Sequence, residues 1–338
     1  MKKKFMKLLG LVFLCLMTVL FIPNKTEAKN VTVMLDPGHG GTNLGGQVPG
    51  YDEKDLTLVL ANCVKQELEK FDGITVLMTR YDDEEISLAD RPKRAKDAGA
   101  DYFISLHFNK AVPNALYGAE VWIPSSGEHY VKGFALGDLV LNELCDTFGI
   151  YRRGIKTRVK EGLTEYYGVL RAAEELDIPS VLIEHCHIDN PEDDAYWRTP
   201  KSLAMLGKLD ATAIAKYFGL RSKDGQIDYS GRPKAQVPLP ASHVIQDLTP
   251  PERVMLEFVK KEGQTSIFNL TAIDKGSPIL YYSISKDGGA TWSQYYRFQV
   301  KGLNGNTLPI KVKGPVDNLR VRVYNTYDLC SEAAYAAG

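Results

Sequence analysis

The chain has 338 residues, 44% of them hydrophobic and 25% charged. That balance fits a globular protein with a substantial core and excludes disorder, collagen and coiled coil as descriptions of the whole. Lys and Arg number 41 against 42 Asp and Glu, a formal net charge of -1, and no basic stripe interleaved with aromatics points to nucleic acid.

The chain opens M-K-K-K-F-M-K and runs into an apolar stretch that Pro23 and Asn24 break. The basic start, the apolar centre and the small residues Thr26 and Ala28 predict a signal peptide over residues 1–28, cleaved after Ala28. The stretch is slightly short of the about 20 apolar residues that span a bilayer. An uncleaved anchor is the other reading. No later segment reads as a membrane span, so the mature protein is expected to be exported. Cys15 leaves with the signal. Cys63, Cys145, Cys186 and Cys330 are scattered without C-x-x-C spacing, and free thiols are expected.

Residues 29–220 alternate strands and helices. Strands are predicted at 31–36, 74–79, 102–106, 119–123, 168–171 and 180–184. Leu56, Leu60, Val64 and Leu68 repeat at helical spacing and predict a helix over 53–70. Ser87, with Asp90 three residues on, can cap a second helix. Two more are predicted at about 129–148, ending near Gly149, and at about 201–218. Alternation of this kind predicts an α/β domain, a mostly parallel sheet with helices on both faces. Residues 221–240 are polar, rich in Gly and Pro, and read as a linker. From 241 to 338 short alternating runs follow one another, such as S-I-F-N-L-T-A and L-R-V-R-V-Y. They predict a small all-β domain, an Ig- or fibronectin-like sandwich. Within it, Ser285 to Trp292 match the Asp-box pattern S-x-D-x-G-x-T-W, a tight hairpin with a structural role. Tyr281, Tyr282, Tyr295 and Tyr296 flank that hairpin. Exposed, they would stack on sugars and make a wall-binding module; half-buried, they belong to a spacer.

Four places in the α/β region carry chemistry, and three follow strands, where functional groups gather in such sheets. Asp36-Pro37-Gly38-His39-Gly40-Gly41 is a strand end with a glycine-bracketed turn that projects His39. Glu53 opens a helix after Tyr51-Asp52. Ser105-Leu106-His107-Phe108-Asn109 ends a strand with His107. Singly these read as a turn histidine, a first-turn acid favoured by the helix dipole and a core histidine. Together, two His and one carboxylate suffice for a catalytic zinc that keeps a fourth position for water. The fourth place is Ile178-Pro179-Ser180-Val181-Leu182-Ile183-Glu184. Beside a metal-bound water Glu184 can serve as general base and then general acid; alone it reads as a helix cap or surface acid.

D-P-G-H-G-G after a strand, E-K-D-L-T-L opening a helix, S-L-H-F-N and P-S-V-L-I-E resemble, in that order, the zinc-dependent N-acetylmuramoyl-L-alanine amidases of the amidase_3 family. M-T-R at 78–80, S-L-x-x-R at 87–91, R-G-I-K at 153–156 and Y-G-V-L-R at 167–171 support the resemblance, which spans about residues 31–218. It implies one zinc per chain held by His39, Glu53 and His107, with Glu184 as catalytic acid/base. It implies hydrolysis of the amide between the lactyl group of N-acetylmuramic acid and the L-alanine of the stem peptide. The implied partner is peptidoglycan, and the expected form is a secreted, wall-associated monomer. A zinc peptidase on the stem peptide and a non-catalytic wall-binding protein are the competing readings. The chain departs from the family after Glu184, where Cys186 and His187 stand for a Gly-Phe pair. A second metal site from His185, Cys186 and His187 is disfavoured because adjacent residues rarely converge on one ion. An altered pocket wall, with His187 free to bond substrate, is expected instead. No long insertion between Gly118 and Arg153 offers an autoinhibitory helix, so the site is expected to be open.

Counted by segment, the near-neutral total separates. Residues 29–220 carry 21 basic and 30 acidic groups, and residues 221–338 carry 15 and 11. The mildly basic tail is therefore the better candidate for contact with an anionic wall.

Overall fold

The structure is a computed structural model that describes residues 30–111, 115–298 and 306–336. The expected signal peptide, residues 1–28, lies outside the described residues. Among the described residues no helix is long and apolar enough to cross a membrane.

The first strand, β1 (Val31–Pro37), is followed by two short strands, β2 (Gln47–Val48) and β3 (Tyr51–Asp52), and then α1 (Glu53–Leu68). Next come β4 (Ile74–Met78), α2 (Asp90–Asp97), β5 (Tyr102–Asn109), β6 (Ala119–Trp122) and α3 (Gly127–Asn142). A π-helical turn, Glu143–Thr147, extends α3, and Gly149 at φ 88° ends it. β7 (Arg152–Lys156), α4 (Gly168–Glu175), β8 (Ser180–His187), α5 (Asp194–Trp197) and α6 (Pro200–Phe218) complete this region.

Six strands form one sheet in the order β4-β1-β5-β8-β6-β7. All neighbours are parallel except β6 and β8. The period-2 alternation of the strands divides their side chains between two cores. Val33, Leu35, Ile104, Leu106, Val181 and Ile183 face α1, α3 and α6. Met34 and Phe103 face the other way, onto Ala95 of α2 and Val169 and Ala173 of α4. This is the expected α/β architecture with helices on both faces.

One expected element changes type. Residues 168–171 are not a strand but the first turn of α4. Val169, Leu170 and Ala173 are buried, a helical spacing that four residues are too few to reveal. The run expected as linker also departs from a free tether at its start. Asp72 N–H donates to the Arg221 carbonyl (2.8 Å), and Tyr229 stacks on Phe71 with centroids 6.2 Å apart.

The C-terminal strands are β9 (Arg253–Glu262), β10 (Thr265–Ile273), β11 (Ile279–Ser285), β12 (Tyr296–Arg297), β13 (Thr307–Lys313), β14 (Arg320–Asn325) and β15 (Cys330–Ala334). They form two antiparallel sheets, β13-β10-β9 and β12-β11-β14-β15. Phe268, Leu270, Ile310 and Val312 from one sheet meet Val321 and Val323 from the other in a shared core. In the Asp-box hairpin Asp287 accepts hydrogen bonds from Ser285 Oγ (2.7 Å) and Thr291 N–H (2.9 Å), and Trp292 Nε1–H donates to the Gly289 carbonyl (3.1 Å). All four remaining cysteines are free thiols.

The close approach of α6 to α1 depends on Gly207 of α6. A Cβ there would lie 2.4 Å from Cys63 Cβ and 2.9 Å from Val64 N on α1. Alanine adds about 1 kcal/mol of helix propensity, but forcing two backbones apart costs about 1–3 kcal/mol. Gly207→Ala is therefore expected to lower the melting temperature in calorimetry despite its better helical propensity.

Candidate active site

β1 and β5 run parallel, side by side, so Asp36-Pro37-Gly38-His39 and Leu106-His107 leave the sheet at the same edge. The β2–β3 hairpin returns the chain to that edge and starts α1 there with Glu53. The three candidate ligands consequently meet. Their donor atoms all lie within 4.8 Å of one another. His39 Nε2 is 3.1 Å from Glu53 Oε2, and His107 Nδ1 is 3.0 Å from Glu53 Oε1. Burial alone would raise the Glu53 pKa, but bonds from His107 and His39 hold it far below the usual carboxylate range. Backbone N–H groups of Gly46 (2.7 Å) and Phe108 (3.0 Å) also donate to this carboxylate.

The donor set fits a zinc ion. Tetrahedral bonds of ~2.1 Å place donors roughly 3.4 Å apart, and the three donor atoms lie within 4.8 Å of one another. The His39 tautomer fits as well. Asn43 Oδ1 accepts from Gly45 N–H (3.3 Å) and lies 2.9 Å from His39 Nδ1. Nδ1–H donating to Asn43 Oδ1 would leave the Nε2 lone pair for a metal that displaces the Nε2–Glu53 contact. Two glycines clear space for the imidazoles. A Cβ on Gly38 would sit 2.2 Å from His107 Cε1, and one on Gly45 2.6 Å from His39 Cδ2.

His39 itself has φ 63°, in the left-handed region, which an ordinary residue occupies only under constraint. Two arginines impose it. Arg91 donates to Asp36 Oδ1 (2.9 Å) and to the carbonyls of Pro37 (2.9 Å) and His39 (2.7 Å). Arg80 donates to the carbonyls of Pro37 and Gly38 (3.0 Å each) and of Lys54 (2.7 Å). Asp36 is completely buried and also accepts from Thr79 (2.6 Å) and Ser105 (2.7 Å). The sequence marks Arg80 and Arg91 only as parts of supporting motifs. Their task, binding carbonyls that leave the sheet, and the orienting task of Asn43 have no signature in spacing.

Glu184 stands on β8 opposite His107 of β5 in register. It joins the three candidate ligands in the lining of one cleft of about 550 Å³, with Leu88, Asn109, Lys110 and Tyr167 also on its walls. Glu184 Oε2 is shielded from solvent and has no hydrogen-bond partner. Burial pushes its pKa well up, and the carboxylates of Glu53 and Glu120 push it further. A carboxyl in this setting has a high proton affinity and no competing contact, as a proton carrier requires.

His185, Cys186 and His187 do not converge. A bulge where β8 passes Asn109 breaks the alternation. His185 donates through Nδ1 to the His107 carbonyl (2.9 Å) and places Nε2 2.8 Å from Asp210 Oδ2. Cys186 joins the apolar core. His187 is completely buried behind the cleft, with Nδ1 3.3 Å from the Gly118 carbonyl. It does not line the cleft, which corrects the expectation that it would meet substrate. Among the described residues the one group able to hold a metal is His39, Glu53 and His107.

The amidase_3 family model, described as N-acetylmuramoyl-L-alanine amidase, matches residues 33–216. The chain is 30% identical over 192 residues to an N-acetylmuramoyl-L-alanine amidase of Bacillus licheniformis, covering 56% of this chain and 70% of that one. It is 29% identical over 209 residues to a sporulation-specific N-acetylmuramoyl-L-alanine amidase of Bacillus subtilis, covering 61% and 74%. Among solved structures it is similar to Cwp6 from Clostridium difficile, with a TM-score of 0.51 and 28% identity over 55% of this chain and 29% of that one.

The buried His187 carries a pH signature. Burial, and after it the Arg153 cation, lowers its pKa from 6.5 to about 3. Between those values the unfolded chain binds a proton that the folded chain refuses, so stability falls as pH falls through that window. His187→Phe is expected to flatten this acid limb by up to ~1.4 kcal/mol per pH unit, measured by urea unfolding at stepped pH.

Proposed function

The chain belongs to the N-acetylmuramoyl-L-alanine amidase family, and from that membership we propose that it is an exported, zinc-dependent peptidoglycan amidase that cleaves the bond between the lactyl group of N-acetylmuramic acid and L-alanine. The observation that carries this reading is one cleft in which His39, Glu53 and His107 converge beside the unpartnered Oε2 of Glu184. Export is inferred from the basic and apolar N-terminal sequence.

In this reading His39, Glu53 and His107 hold the metal. When bound, zinc acidifies water and polarises the carbonyl under attack. Glu184 accepts a proton from the attacking water at its free carboxylate oxygen and delivers it to the departing alanine nitrogen. Its raised proton affinity suits a group that must keep the proton between those two events. Asn43 fixes the His39 ring, and the Gly46 and Phe108 amides fix the Glu53 carboxylate, so both donors are held at the centre. Leu88 and Tyr167 give the cleft apolar sides that limit water around the reacting bond, while Asn109 and Lys110 offer polar contacts for a peptide.

The decisive measurement is mass spectrometry of the products from purified peptidoglycan, with and without a chelator. Release of stem peptides beginning with free L-alanine, no new reducing ends and loss of activity on chelation are expected. Cleavage within the stem peptide would replace this reading with a zinc peptidase. Glu184→Ala is expected to abolish turnover while retaining metal. Asn43→Ala is expected to keep the fold and weaken zinc binding by about 10–100-fold, measured by competition with a chromophoric chelator.

A further inference from the structure

The expected separation between an enzymatic domain and a tethered β-sandwich is absent along β7. Arg153, on the edge strand β7, is almost completely buried. Its Nε–H donates to Glu120 Oε2 (2.7 Å), its Nη1 to the Tyr281 hydroxyl (3.1 Å) and its Nη2 to Asp328 Oδ2 (2.8 Å). Glu120 belongs to β6 of the large sheet, whereas Tyr281 and Asp328 belong to the β-sandwich. Lys156, also buried, places Nζ 2.6 Å from the same Glu120 oxygen. Two buried cations thus share one carboxylate of the α/β sheet, and the sandwich supplies the second.

From Glu120 the contacts reach the cleft in one step. Its Oε1 accepts from Asn109 Nδ2 (2.9 Å), and Asn109 lines the cleft. Glu120 is also the cross-strand partner of Glu184 in register. The sandwich side is built for its part. Asp328 sits in the turn between β14 and β15 at φ 63°, a left-handed conformation that aspartate tolerates better than most residues. Asn325 braces that turn, accepting from the N–H groups of Tyr327 and Leu329 (3.0 Å each). Around the ion pair, Tyr281 is buried against Tyr117 and Tyr151 with centroids 5.0 and 5.2 Å away. The Tyr151 hydroxyl donates to the Leu280 carbonyl (2.6 Å).

We propose that the β-sandwich is a fixed brace of the catalytic centre, in which Asp328 is a positioning residue that holds Arg153 against Glu120 and thereby sets Asn109 and Glu184. The proposal rests on the amidase reading. Without Asp328 the guanidinium keeps Glu120 but loses its second anchor. Glu120 is then shared by Arg153 and Lys156 while only the Tyr281 hydroxyl still ties the guanidinium to the sandwich. The misplacement is passed along hydrogen bonds to the cleft wall and across the strand pair to the proton carrier. A contiguous hydrogen-bonded path of this kind is a physical route for coupling, which variants along it can test.

The experiment uses the full mature chain. Asp328→Asn removes the charge and keeps a residue suited to positive φ, and Tyr281→Phe removes one hydroxyl from the same clamp. For Asp328→Asn, kcat on purified muropeptides is expected to fall about tenfold, the scale of a small misplacement, with KM and zinc content unchanged. Tyr281→Phe is expected to fall in the same direction by less. Hydrogen exchange of the Phe108–Lys110 and Ala119–Trp122 amides is expected to quicken in both, a readout independent of turnover. Wild-type kcat and exchange in both variants would overturn the brace. So would a raised KM at constant kcat, which would make the sandwich a substrate-holding module. If Asp328→Asn fails to fold, Tyr281→Phe decides alone. A wild-type protein that releases no alanine-terminated peptides would refute the amidase reading, and the exchange measurement would still decide the brace.

Discussion

The buried pair of Asp36 and Arg91, joined by Arg80, is the interaction on which the catalytic edge depends. Where β1 leaves the sheet, three consecutive carbonyls, of Pro37, Gly38 and His39, lose their strand partners. A buried carbonyl without a donor is costly, and here the two guanidinium groups provide the donors. A buried ion pair gains little by itself because both charges are desolvated. This one is offset by Thr79 and Ser105, which satisfy the remaining lone pairs of Asp36. The result is a rigid turn in which His39 keeps a positive φ and Gly38 stays bare under the His107 ring. Glu53 can then meet both imidazoles with a single carboxylate.

Much of this was legible because each candidate ligand falls where a strand ends or a helix begins, and periodicity locates those points well. The three candidate ligands and Glu184 could be placed at one edge from the order of elements. Their distances could not, since these follow from the register of β1, β5 and β8. The supporting shell was harder to read for a chemical reason. Arg80, Arg91 and Asn43 act largely on backbone carbonyls or on one ring nitrogen, and such partners carry no sequence pattern. The helix at 168–175 was missed because Val169 and Leu170 alone fit either period. His187 was misplaced because a bulge at Asn109 shifts the alternation after Glu184, and a bulge on a strand of ordinary composition leaves no mark.

Charge arithmetic had a similar limit. The α/β region is acidic and the tail mildly basic, which suggests that any attraction between them pairs a tail cation with a catalytic-region anion. The buried contact has the opposite sense: the anion, Asp328, comes from the basic part and the cation, Arg153, from the acidic part. A sum over a hundred residues describes the far field, whereas the interface responds to two buried cations that share one carboxylate, Glu120. The tyrosines followed the same logic. Tyr281 reads as a possible sugar platform, yet its hydroxyl and ring are both engaged by the α/β region.

β7 is the last strand of the six-stranded sheet, and an unpaired last strand is where a sheet is exposed to unwanted pairing. Here its residues Arg153 and Lys156, and Thr157 just beyond it, are occupied by Tyr281, Tyr327, Asp328 and Val244 of the following segment. The heritable unit is consequently longer than the part that resembles other amidases. A recombination event that joined this catalytic region to a different tail at the Gly- and Pro-rich segment would leave a charged, aromatic-lined edge open to solvent. Lineages carrying this sheet edge are therefore expected to inherit the sandwich with it, as one segment rather than two.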